Sequence, residues 1–188
     1  MDRIREIIDE SAGLHGRLAG LIPEIRAAAR VMTDAIAGGN KVMFAGNGGS
    51  AADAQHLAAE LVNRFLKDRQ PLAGLALSTD TSVITAVGND FSFDEIFSKQ
   101  VRALGRAGDV LVGISTSGGS RNIIRALDEA GSMGIVTIAL TGEGGTMRDH
   151  AQTVIAVPSR STPRVQEVHI LVGHILCELV ENEFARIV

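Results

Sequence analysis

Apolar residues near the start of the chain recur at three- and four-residue steps: Ile4, Ile7, Ile8, Leu14, Leu18, Leu21 and Ile25. That spacing predicts helix from residue 2 to about residue 38. Pro23 divides it in two, because proline breaks the ladder of a helix interior. Gly38, Gly39 and Asn40 then supply a turn. Beyond them the period changes. The short apolar runs KVMFAG (41–46), LAGLALS (72–78), DVLVGIS (109–115), GIVTIALTG (134–142) and TVIAVP (153–158) predict five strands. Helical stretches over about 50–66, 81–88, 92–106 and 120–132 separate them, and 163–186 reads as a long final helix. Apolar strands alternating with helices predict a parallel sheet covered on both faces. The expected fold class is therefore α/β, a three-layer α/β/α sandwich with a five-stranded parallel sheet plus N-terminal helices. The 188 residues suit one domain, with a helical segment over 1–38 and an α/β core over 39–188.

Composition narrows the function classes. The chain has no Tyr or Trp, six Phe and a net charge of −4. It lacks both the stacking platforms of single-strand binders and a basic footprint, so nucleic acid is not an expected partner. No apolar run reaches the roughly 18–20 residues of a membrane span, and the charged start MDRIREIIDE is no secretory signal. The single cysteine, Cys177, has no partner within the chain and is expected to be a small buried residue on the last helix. Together these suggest a cytoplasmic location.

In open parallel sheets, ligands bind beyond the carboxyl ends of the strands. That rule selects GNGGS, STDTS and STSGGS. In STSGGS, Ser115, Thr116, Ser117 and Ser120 offer four hydroxyls. Gly118 and Gly119 let the backbone approach a ligand, and the following helix start favours an anion. A phosphate on a small molecule suits this loop, although a strand–helix turn with a serine cap reads similarly. GNGGSA matches a dinucleotide fingerprint at Gly46, Gly48 and Ala51. That fingerprint needs an acidic residue about 20 positions on, at the end of the second strand. Asp80 lies too far along for that, and no lysine follows either loop to make a Walker A sequence.

The helix after the first loop carries AQHLAAEL (54–61), in which His56 and Glu60 are four residues apart and share one face. A lone histidine on an Ala/Leu helix is usually a packed core residue. A carboxylate one turn on, directly behind a ligand loop, points instead to acid–base or metal chemistry. On the last helix, spacing alone aligns Glu167 with His174 better than Gln166. His169 reads as a packing or interface residue, and His15 and His150 as surface residues. Arg64 and Phe65 are expected to pack or cap the end of the His56 helix.

Four ordered segments, AGNGGSAADAQHLAAELVNRF, TAVGNDFSFDEIFSKQV, GDVLVGISTSGGSRNI and STPRVQEVHILVGHILCELVE, resemble the phosphoheptose isomerase family of the sugar-isomerase (SIS) superfamily. The resemblance covers about residues 30–183 and implies a flavodoxin-like SIS sheet. It implies conversion of D-sedoheptulose 7-phosphate to D-glycero-D-manno-heptose 7-phosphate, the first step towards nucleotide-activated heptose. It further implies a cytoplasmic homotetramer with one Zn²⁺ per subunit. On this resemblance Ser115, Thr116, Ser117 and Ser120 grip the phosphate. Asn47, Gly48, Gly49, Ser50, Asn89, Asp90 and Gln166 contact the sugar. His56, Glu60, Gln166 and His174 are metal positions, with Glu60 and His174 catalytic. Here the resemblance selects Gln166 over Glu167. Pro163 stands where some relatives carry an acidic residue.

Aldose–ketose interconversion needs a base to move a proton between carbons and an acid to serve the oxygens. Glu60 is the expected base and His174 the expected acid. A glutamate bound to zinc is a poor base, so catalytic and structural zinc both stay open. Two other functions are compatible with the fold: a non-catalytic SIS protein that binds the replication initiator, and an isomerase or binder of another phosphosugar. The non-catalytic relatives lack the acidic residue matching Glu60 and the histidine matching His174. This chain has both.

Overall fold

The computed structural model describes residues 2–185. Its N-terminal helices are α1 (Arg3–Gly16) and α2 (Ile22–Ala37), joined by a 3₁₀ turn over Arg17–Leu21. Pro23 sits in the first turn of α2, where its missing N–H costs nothing. The expected division is thus present, with the break falling just ahead of the proline.

Five strands follow as expected: β1 (Val42–Gly46), β2 (Gly74–Ala76), β3 (Val110–Ser115), β4 (Val136–Thr141) and β5 (Thr153–Ala156). The helices between them are α3 (Gly49–Val62), α4 (Thr81–Asp90), α5 (Ser98–Leu104) and α6 (Arg121–Ser132), and α7 (Thr162–Phe184) closes the fold. All pairings are parallel, in the order β2-β1-β3-β4-β5. β1 and β3 are buried along their whole length, which is why both read as unbroken apolar runs.

One core layer packs α2, α3 and α7 against one face of the sheet, around Phe44, Val112, Ile138, Leu57 and Val172. The other packs α5 and α6 against the opposite face, around Met43, Leu111, Phe97 and Ile123.

Two expected boundaries shift. The helix expected over 92–106 opens as a separate 3₁₀ turn (Phe93–Glu95), which Ser92 caps by accepting from the Asp94 N–H. The helix expected over 50–66 stops at Val62. The Glu181 carboxylate of α7 accepts the N–H groups of Phe65, Leu66 and Lys67 at 2.8, 2.7 and 2.9 Å. Those donors are lost to a continuing helix.

The strand order reverses direction between β1 and β3. Their carboxyl ends, Gly46 and Ser115, open directly into the two Gly/Ser loops, at the switch point where such sheets bind ligands.

Candidate active site

Across the switch point the two loops are tied together. Asn47 donates to the side-chain oxygen of Asn122 at 2.9 Å, and Asn122 donates back at 2.8 Å. Asn122 is only 3% exposed and its oxygen also accepts from the Ile123 N–H at 3.0 Å. The pair fixes the first turn of α6 against the loop after β1. Sequence reasoning missed Asn122. Its signal was a polar residue following STSGGS at a position that the helix period turns inward.

In the second loop, Ser115 Oγ lies 2.8 Å from Ser120 Oγ and 3.4 Å from Ser117 Oγ, and Ser117 accepts from the Gly119 N–H at 3.2 Å. The Ser120 side chain therefore does not cap α6, and its hydroxyl joins the cluster. Gly118 turns with φ of +65°, and the Gly144 carbonyl and Thr141 hydroxyl lie close behind it. Only glycine takes this backbone easily, and no side chain fits there. The loop is held from behind, with Met147 N–H donating to the Gly118 carbonyl at 3.0 Å. Hydroxyls and a helix start converge here, a setting suited to phosphate.

The third group lies between α3 and α7. Gly173 lets the helices approach, since a Cβ there would run into the Leu57 side chain. The close approach brings His56 Nε2 to 2.8 Å from His174 Nε2, with the rings at 69°. His56 Nε2 also stands 3.4 Å from Glu60 Oε1. A carboxylate only accepts, so a proton on His56 Nε2 serves both contacts and leaves the His174 Nε2 lone pair as acceptor. Phe65 stacks on the His174 ring, with centroids 5.3 Å apart. The expected packing role of Phe65 is thus directed at His174, while Arg64 pairs with Asp68 on the surface.

Gln166 lies against the backbone of Gly49 at the start of α3. Burial pushes the Asp53 carboxyl up, opposed by the Gln166 side chain and by His56. Glu167 points elsewhere, accepting from Ser11 at 2.8 Å and pairing with Arg164 at 2.6 Å. Of the two candidates on α7, Gln166 is the one that faces α3. Gly48 and Ser50 stand at the start of α3, with Ser50 buried.

Asn89 and Asp90 lie exposed at the end of α4, bonded to each other at 2.7 Å. No side-chain hydrogen bond joins them to the other predicted site residues. His169 is 1% exposed and near the Thr141 carbonyl, but neither ring nitrogen reaches a hydrogen-bond partner. Burial holds its pKa down to about 4. Cys177 is buried as expected, and its thiol is pushed up to about 12, chiefly by burial.

Two imidazoles, a carboxylate and the Gln166 amide oxygen are a donor set zinc accepts. Among the described residues no three His, Cys, Asp or Glu side chains stand ready at metal-binding geometry. Nitrogens on one tetrahedral zinc lie about 3.3 Å apart. His56 and His174, now 2.8 Å apart, would have to separate slightly, a small adjustment of half-exposed side chains.

The class of the fold is a SIS domain, whose family model matches residues 10–142. The phosphoheptose isomerase of Rhodospirillum rubrum is 54% identical over 182 residues, covering 96% of this chain and 97% of that one. That of Aquifex aeolicus is 50% identical over 184 residues, covering 97% and 96%. The solved structure of the phosphoheptose isomerase GmhA from Neisseria gonorrhoeae superposes with a TM-score of 0.91 at 44% identity, over 96% of this chain and 97% of that one. The chain belongs to the phosphoheptose isomerase family.

Proposed function

We propose that this protein interconverts D-sedoheptulose 7-phosphate and D-glycero-D-manno-heptose 7-phosphate through an enediol(ate). The observation that carries this reading is the cluster of Glu60, His56 and His174, set between α3 and α7. Membership of the family supports it, because its named relatives are phosphoheptose isomerases.

Ser115, Thr116, Ser117 and Ser120 hold the phosphate, with the N-terminus of α6 behind them. Asn47, Gly48, Gly49, Ser50 and Gln166 position the sugar, and Asn89 and Asp90 complete its contacts. Glu60 takes a proton from C1 of the ketose. The C–H electrons form the C1=C2 double bond, and the C2 carbonyl oxygen takes up the displaced pair. His174 gives that oxygen a proton. It then takes the proton from the C1 hydroxyl as the new carbonyl forms, and Glu60 returns its proton to C2. The net change moves one hydrogen between carbons and one between oxygens.

The residues that would hold one zinc per subunit are His56, Glu60, Gln166 and His174. When bound, zinc would polarise the substrate oxygens as a Lewis acid. Glu60 cannot bind zinc tightly and act freely as a base in the same instant.

The reading includes a cytoplasmic homotetramer. Among the described residues no helix is long and apolar enough to cross a membrane. Exposed Ile4, Ile8, Ile22 and Leu179 leave an apolar surface on the helical side, which supports self-association. Incubation with sedoheptulose 7-phosphate, followed by NMR detection of the aldose, tests the activity. Light scattering tests the assembly, and a monomer at working concentration contradicts it.

A further inference from the structure

The segment that follows α3, residues 63–70, has no regular structure, yet a buried ion pair organises it. The Glu181 side chain is 1% exposed and that of Arg69 is fully buried, with Arg69 Nε 3.3 Å from Glu181 Oε1. The Glu181 carboxylate accepts from three consecutive N–H groups, those of Phe65, Leu66 and Lys67. Burial would raise its pKa, but these bonds and Arg69 outweigh burial and hold it below the ordinary carboxylate range. Arg69 donates to the carbonyls of Glu60 at 2.8 Å and Leu61 at 2.9 Å at the end of α3, and the Leu61 carbonyl also accepts from the Leu72 N–H at 3.0 Å. One ion pair therefore fixes two things: the α3 turn that carries Glu60, and the backbone that presents Phe65 to His174. Glu181 lies seven residues beyond His174, two turns along the same face of α7.

We propose that Glu181 and Arg69 are positioning residues for the reaction, setting His174 through the Phe65 ring and Glu60 through the end of α3. The inference takes Glu60 and His174 as the reacting pair proposed above. Glutamine at 181 keeps the shape but must turn an NH₂ group towards backbone N–H groups or towards Arg69. Donor then faces donor and the segment loosens. The phosphate loop, on β3 and α6, is untouched. The expected effect falls on kcat with KM nearly constant.

The test compares Glu181→Gln, Phe65→Leu and the double variant in the full-length protein, well below their melting temperatures. Turnover of sedoheptulose 7-phosphate gives kcat and KM. The His174 ring proton signal, assigned by its absence in His174→Gln, reports stacking through the ring-current shift from Phe65. Both single variants should lose that shift and fall about ten- to a hundredfold in kcat, the size expected for a displaced reacting group. The double variant should be no slower than Glu181→Gln. Glu181→Asp, which keeps the charge, should recover part of the loss. A His174 signal unmoved in folded Glu181→Gln overturns the proposal, as do effects that multiply independently in the double variant. Should Glu181→Gln not fold, Arg69→Lys takes its place, with the same shift and kcat loss expected and an unmoved His174 signal again contrary. An inactive wild type would refute the isomerase reading, while the ring-current shift would still decide the positioning.

Discussion

His56 Nε2 and His174 Nε2, separated by 118 positions in the chain, face each other at 2.8 Å where α3 packs on α7. Both nitrogens must present lone pairs to bind one zinc, so the proton between them has to move to His56 Nδ1, a change of tautomer with no net loss of a proton. Zinc titrated into the metal-free protein should bind at about one ion per subunit. Calorimetry gives that stoichiometry and the affinity. Both His56→Ala and His174→Ala should weaken zinc binding by at least tenfold. Unchanged zinc affinity in both variants would remove the pair from the metal site.

Glu60→Gln should fold normally, since the side chain is partly exposed and its main tie is the 3.4 Å contact to His56. Its kcat should fall by about 10²–10⁴, the usual range for a lost general base. Steady-state kinetics beside a thermal melt separates lost chemistry from lost fold.

Gly118→Ala strains a backbone at φ +65° and drives a methyl group into the Gly144 carbonyl. The loop should move and the phosphate grip weaken. KM should rise at least tenfold, with stability falling by about 1 kcal/mol or more. Inhibition by inorganic phosphate should weaken in parallel, a binding readout that needs no turnover.

Asn47 and Asn122 should be energetically coupled. Removing either leaves the other amide short of its partner, so the two single losses added together should exceed the total loss in the double variant. A coupling of about 0.5–3 kcal/mol is expected from denaturant melts of a double-mutant cycle. Additive effects would show that the paired amides do not depend on one another.

His169 gives a pH prediction. Its pKa is depressed to about 4 in the fold, against about 6.5 when unfolded. The unfolded chain therefore binds more protons between those values. The neutral, folded form is fully favoured above about pH 6.5. That advantage is lost as pH falls towards 4, by up to about 3 kcal/mol. Because neither ring nitrogen has a partner, His169→Phe should cost little at pH 7 and flatten the acid limb of the stability curve. Melts from pH 4 to 7 give the comparison, and an unchanged slope would count against the buried neutral imidazole.

The sheet was readable in the sequence because β1 and β3 are buried on both faces, so their apolar runs are uninterrupted. Pro23 marked a helix start for a local reason. The end of α3 was not readable, because Glu181 ends it from α7, more than a hundred residues away, by capturing N–H groups that a helix would use. The facing of Gln166 was hidden similarly. Ideal helix spacing aligned Glu167 with His174, but α7 packs with Glu167 towards Arg164 and Ser11 and Gln166 towards Gly49. Asn122 escaped notice because an asparagine near a helix start is commonplace, and its partner lies on another loop. His56 with Glu60 was legible from one local spacing. What it meets, His174 and Phe65, is set by tertiary packing.

In the proposed reaction Glu60 moves a proton between two carbons of sedoheptulose 7-phosphate. Incubating wild type and Glu60→Gln with this substrate in D₂O, followed by NMR, tests that step. The wild type should yield the heptose 7-phosphate aldose, with deuterium at C2 to the extent that Glu60 exchanges its proton with solvent before returning it, and folded Glu60→Gln should form almost none. No aldose from the wild type, or near-normal turnover by Glu60→Gln, would contradict it.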